Sequence, residues 1–230
     1  MRRFYVSVLF VVASVVAIAQ NPDSGKVRTF DLTAIRAIGE NDSLYGALSE
    51  RFEKGDSTLT SDDMEALYYG RAFRPDYTGD YSETDSSDVL LREQLYEELA
   101  EWCDRFLAKN PVSLRARYCM IVACRALGRE REIGEHVSKY RKLLSVIVNS
   151  GSGTSQAPFR VLCVPDEQEL AANYLQMTEL DGRRLAQVED RVCDVVTFRD
   201  GGPDRMEKRE IWFDVTLPFA ALGRSMREAR

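Results

Sequence analysis

The chain has 230 residues, 31 of them Lys or Arg and 37 Asp or Glu, for a net charge of −6 with a single histidine. That acidic balance lacks the basic footprint of a nucleic-acid binder and the polybasic patch that holds proteins on anionic lipid. One histidine, with no two cysteines spaced as CxxC, leaves no basis for a metal site or a cofactor.

Arg2 and Arg3, the apolar run 4–18 and Ala17-Ile18-Ala19 read as a signal peptide over residues 1–19. The run is shorter than the roughly 20 apolar residues of a spanning helix. No later segment is apolar enough to span, so export to the periplasm or medium is expected, with no membrane span after cleavage. Cleavage removes Arg2 and Arg3, leaving 29 basic residues against 37 acidic ones. Residues 20–29 are polar, with Pro22 and Gly25, and read as a flexible leader.

A helical lobe is expected over 30–149. Asp31 to Ile38 is a short helix. Ser43 to Lys54 is a second, with Tyr45, Leu48 and Phe52 on one face. Gly55 and Asp56 suit a turn. Thr60 then caps a helix with Asp63 in its first turn, and Gly70 closes it. Arg74 to Asp88 is a loop rich in Pro, Gly, Ser, Thr and Asp. Asp88 to Lys109 carries the stripe Leu91, Leu95, Leu99, Trp102, Phe106 and reads as one long helix. Asn110-Pro111 stops it and opens the next, since Pro suits a first helical turn. Two further helices, separated by Gly128, run to Ser150 and resemble a single tetratricopeptide-type hairpin. One hairpin is not an array, so it reads as helical packing.

Residues 150–158, rich in Gly and Ser, form a hinge. Beyond it the pattern turns β-like and a small antiparallel sheet is expected over 159–230. Its strands are Phe159 to Val164, Tyr174 to Leu180, Val192 to Phe198 and Glu210 to Leu217. Asp200 to Asp204 forms a hairpin loop. Ile211, Phe213 and Val215 share one face and Trp212 points the other way. A C-terminal helix covers Phe219 to Glu228.

Few residues point to chemistry. The loop Ser150 to Ser155 follows a helix and leads into a strand, the reverse of a phosphate cradle. His136 has no nucleophile-elbow sequence to serve and reads as partly buried or superficial. Asp166, Glu167 and Glu169 read as a solvated turn at a strand end. They would serve a hydrolase only if two carboxyls faced each other at roughly 5–10 Å. The five cysteines read as small apolar side chains. Tyr68, Tyr69 and Tyr77, with Trp212, are the aromatic candidates for ligand or partner contact, each combining an apolar face with a polar handle.

The segments Gly55-Asp56 to Gly70, Asn110-Pro111, Ser150-Gly151 with Gly153-Thr154-Ser155, Val161 to Glu167 and Phe213-Asp214-Val215 together resemble the DUF4919 family. That resemblance implies an exported protein of a Gram-negative envelope and supplies no catalytic residue, cofactor or substrate. The expectation is therefore an α+β protein. Its function reads as a non-enzymatic module that binds a protein partner or small ligand, with a carboxylate-dependent periplasmic hydrolase as the alternative.

Overall fold

A computed structural model describes residues 30–200 and 207–228. The expected signal peptide (1–19), the leader (20–29) and residues 201–204 of the expected hairpin loop lie outside the described residues.

Helix α1 spans Leu32–Gly39 and is capped by Asp31, whose carboxylate accepts from the Thr33 and Ala34 amides. Helix α2 spans Asp42–Glu53 and buries Tyr45, Leu48 and Phe52, as their spacing predicts. Helix α3 spans Ser61–Gly70 and opens on a complete capping box. Thr60 Oγ1 accepts from the Asp63 amide, and Asp63 accepts from the Thr60 amide. Gly70 is the last residue of the helix but not a left-handed cap. It keeps right-handed angles, and the chain runs on into a 3-10 turn at Arg71–Phe73. Gly39 is small because α1 crosses α3 there: a Cβ built on Gly39 would lie 2.4 Å from the Gly70 carbonyl oxygen.

The stretch expected as one long helix is two. Helix α4 spans Asp85–Arg92, starting inside the expected loop, and α5 spans Tyr96–Lys109. Between them Gln94 takes φ 58°, which breaks the ladder and leaves Leu95 exposed. Pro111 lies in the turn before α6 (Leu114–Ala126) rather than in its first helical turn, and Ser113 caps that helix instead. After Gly128, in left-handed backbone at φ +70°, α7 spans Glu130–Val148. Helix α6 packs on both α5 and α7, and Leu99, Cys103, Cys119, Met120 and Cys124 are buried together.

The second half departs most from expectation. The strand expected over 159–164 is only β1 (Phe159–Arg160), and Val164 already begins α8 (Val164–Asn173). Residues 174–179 belong to no strand; β2 starts at Leu180 and runs to Val188. Strands β3 (Arg191–Asp200) and β4 (Glu207–Asp214) follow. The order is β1-β4-β3-β2, antiparallel except where β1 pairs parallel with β4, so the sheet is mixed. β4 stops at Asp214, whose carboxylate accepts from the Thr216 amide and hydroxyl at the start of α9 (Thr216–Glu228).

One buried cluster takes in Phe52, Tyr68, Leu143, Leu170, Val196 and Phe213, so helices and sheet share a core. The Gly/Ser segment between them is a docked turn. The amides of Ser152 and Gly153 donate to the Ala157 carbonyl, and the Gly153 carbonyl accepts from the Trp212 amide. Gly153 sits at φ +72°, and a Cβ there would lie 2.7 Å from the Phe159 ring.

Candidate functional site

The aromatic candidates form no common surface open to a ligand. Tyr68 and Tyr69 are fully buried on α3, their rings edge to face with centroids 4.9 Å apart. Tyr68 donates to Asp166 Oδ2 at 2.5 Å and Tyr69 to the Arg160 carbonyl at 3.2 Å. Tyr77 is half-buried and donates to the Leu162 carbonyl at 2.6 Å. These three rings brace the approach to α8, and the first two offer no face to a ligand. Trp212 is half-buried beneath the Arg184 guanidinium, 5.2 Å from its centroid.

The acids expected in a solvated turn are instead buried in the first turns of α8: Asp166 is 3%, Glu167 2% and Glu169 4% exposed. The run 161–164 mimics a strand, but Pro165 followed by acidic residues is a helix-start signal. Each carboxylate fastens α8 to a different neighbour. Asp166 accepts from Tyr68 of α3, and burial pushes its carboxyl up to about 6. Glu169 accepts from Arg115 of α6 at 3.1 Å, Tyr140 of α7 at 2.9 Å and Asn173 at 2.8 Å, and burial raises it too. Glu167 accepts from Arg183 of β2 at 2.8 Å, and that guanidinium also reaches Asp194 Oδ2 at 3.2 Å. Burial pushes Glu167 up to about 8 against the pull of Arg183. A catalytic acid must reach its substrate; these reach protein donors, and none of them lines either described hollow.

The larger hollow, about 310 Å³, opens where α2, α5, α6 and α7 meet. Its floor is built on Arg117, 1% exposed, whose guanidinium lies over the Phe52 ring. Nη2 of Arg117 donates to Glu53 and to the Pro111 carbonyl. Lys139 Nζ donates to the other Glu53 oxygen at 3.0 Å, so one carboxylate holds two cations. Arg117 Nη1 faces His136 Nδ1 at 3.4 Å. A guanidinium only donates, so Nδ1 is the acceptor and the imidazole proton sits on Nε2. Burial, then the Arg117 and Lys139 charges, push His136 down to about 4, so the ring is neutral at pH 7. Arg117 Nε and Ser49 Oγ are buried without a partner. Glu50 and Asp104 stand exposed among the lining residues, beside the apolar side chains of Leu107 and Pro111. None of this hollow is legible as a motif, because its residues come from four helices. The one available signal is that the only histidine and a buried-side arginine fall on adjacent amphipathic helices.

Among the described residues no cluster of three or more His, Cys, Asp and Glu side chains is placed to hold a metal, and no helix is long and apolar enough to cross a membrane. All five cysteine thiols are free; four are buried and Cys163 is half-buried.

The fold thus combines helical layers with a mixed sheet around a shared core, with a second buried cluster between α5 and α6 and a polar hollow on the helical side. The chain belongs to the DUF4919 family, described as a domain of unknown function, whose model matches residues 34–221. No curated protein and no solved structure matches it.

Proposed function

We propose that this chain is an exported, non-enzymatic binding module that takes a small ligand in the hollow floored by Ser49, Arg117, His136 and Lys139. The observation that carries this reading is the positive charge left in excess at that floor, where Arg117 and Lys139 share the single carboxylate of Glu53. Export rests on the ordered basic, apolar and small-residue segments of residues 1–19. The hydrolase alternative is disfavoured, because Asp166, Glu167 and Glu169 are buried and bonded to Tyr68, Arg183 and Arg115, and none of them lines a described hollow.

The test is thermal unfolding of the folded chain against a panel of small polar metabolites, run beside Ser49→Leu, which fills the floor. A compound that raises the midpoint of the parent chain and leaves Ser49→Leu unmoved supports the reading. A panel in which every compound shifts both proteins alike overturns it. Intact-mass measurement of the envelope protein tests export: loss of residues 1–19 is expected, and their retention refutes cleavage.

A further inference from the structure

We propose that the ligand of this hollow is a small zwitterion bearing one carboxylate and one ammonium, of the size of an amino acid or dipeptide. The inference rests on the binding reading above and deepens it.

The charges in the hollow are sorted by depth. At the floor, Arg117 and Lys139 share the single carboxylate of Glu53, which leaves one positive charge in excess. The unspent hydrogen-bonding groups there are donors. They are the His136 Nε2 proton and the two remaining Lys139 N–H groups. The excess charge and the donors both call for a carboxylate. At the rim the sign reverses, because Glu50 and Asp104 are exposed carboxylates with no cation of the floor paired to them. Lys54 partly offsets Glu50 through a 2.5 Å contact, so Asp104 is the stronger anchor for an ammonium. Leu107 and Pro111, both buried, form an apolar wall for what lies between the two ionic ends.

Discrimination follows from this arrangement. A simple carboxylic acid answers the floor and is repelled by the rim. A simple amine answers the rim and is repelled by Arg117 and Lys139. Only a molecule with both charges meets complementary charge at both depths. About 310 Å³ is near the lower end of small-molecule sites, which run from about 300 Å³ upward.

The experiment is isothermal titration of the folded chain with the common amino acids and a set of dipeptides, each singly. The best binder is then compared with its des-amino acid and its decarboxylated amine. The zwitterion is expected to bind about tenfold tighter than either fragment, because each fragment leaves one set of polar groups unanswered. The double variant Glu50→Gln with Asp104→Asn touches only exposed side chains. It is expected to weaken the zwitterion roughly fivefold, the scale of exposed ion pairs, and to leave the des-amino acid bound as well or better. A des-amino acid that matches the zwitterion, or a double variant that binds the zwitterion undiminished, overturns the zwitterion assignment and leaves the hollow as a site for anions. Absence of binding by every amino acid, dipeptide and fragment also overturns it. The wider binding reading then stands or falls separately on the metabolite panel with Ser49→Leu.

Discussion

Two neighbours on β4 show how far a single residue's worth depends on the direction of its side chain. Phe213 is fully buried against Phe159, with ring centroids 6.2 Å apart, while Trp212 is half-buried beneath Arg184. Phe213→Ala is expected to cost about 3–5 kcal/mol in denaturant unfolding, and Trp212→Ala distinctly less. The reverse order would mean that the indole, not the phenyl ring, anchors the sheet. The buried acids make a second prediction, about pH. Asp166 is raised to about 6 and Glu167 to about 8 by burial, whereas in the unfolded chain both ionise near their ordinary values of about 4. Their contribution is therefore complete below about pH 4 and is lost as pH rises through about 6 and about 8 respectively. His136, lowered to about 4, acts oppositely: its contribution is complete above about pH 6.5 and fades as pH falls toward about 4. Between about pH 6.5 and 8.5 only the Glu167 effect remains among these three, so the unfolding midpoint is expected to fall across that window. Glu167→Gln, which fixes the neutral form, should flatten the slope, and an unchanged slope would assign it to another group.

At the scale of elements, helix α3 was the most legible part of the chain because its start is encoded locally. The Thr60–Asp63 box depends only on residues three apart, and Thr60→Ala is expected to cost roughly 1 kcal/mol. Denaturant midpoints check this, and an unchanged midpoint would place the helix start elsewhere. The end of the same helix at Gly70 was legible too, but the close crossing of α1, where a Cβ on Gly39 would lie 2.4 Å from the Gly70 carbonyl oxygen, was not. Gly39→Ala should therefore destabilise by about 1–3 kcal/mol through overpacking, although alanine is the better helix former. A stabilised variant would show that the two backbones separate easily. The same contrast explains the other departures. Tyr45, Leu48 and Phe52 announce a buried face by spacing alone. The break at Gln94 rests on one backbone angle in a residue that does not advertise it. The run 161–164 imitates a strand although the helix Val164–Asn173 takes over.

For the whole molecule, the shift from helical to strand pattern near residue 150 was visible, and the shared core was not, because its contacts join residues far apart in the chain. Tyr68 and Asp166 are 98 positions apart and Arg117 and Glu53 are 64 apart; spacing carries no information at such range. With Leu143, Val196 and Phe213 in one cluster, heat is expected to unfold helices and sheet in a single transition, with calorimetric and van't Hoff enthalpies in agreement. Two separated transitions would show that the helical and sheet parts fold independently. The sheet order also has a consequence for the protein in concentrated solution. Strand β2 has a ladder partner on one side only, and an open edge of nine residues invites another chain to add itself. This edge carries Asp181, Arg183 and Arg184, and its register slips between Leu180 and Gly182. A second copy pairing antiparallel in full overlap would set Arg184 against Arg184 along an irregular strand. The charges and the slip that interrupt this strand thus protect the folded protein against edge-to-edge aggregation.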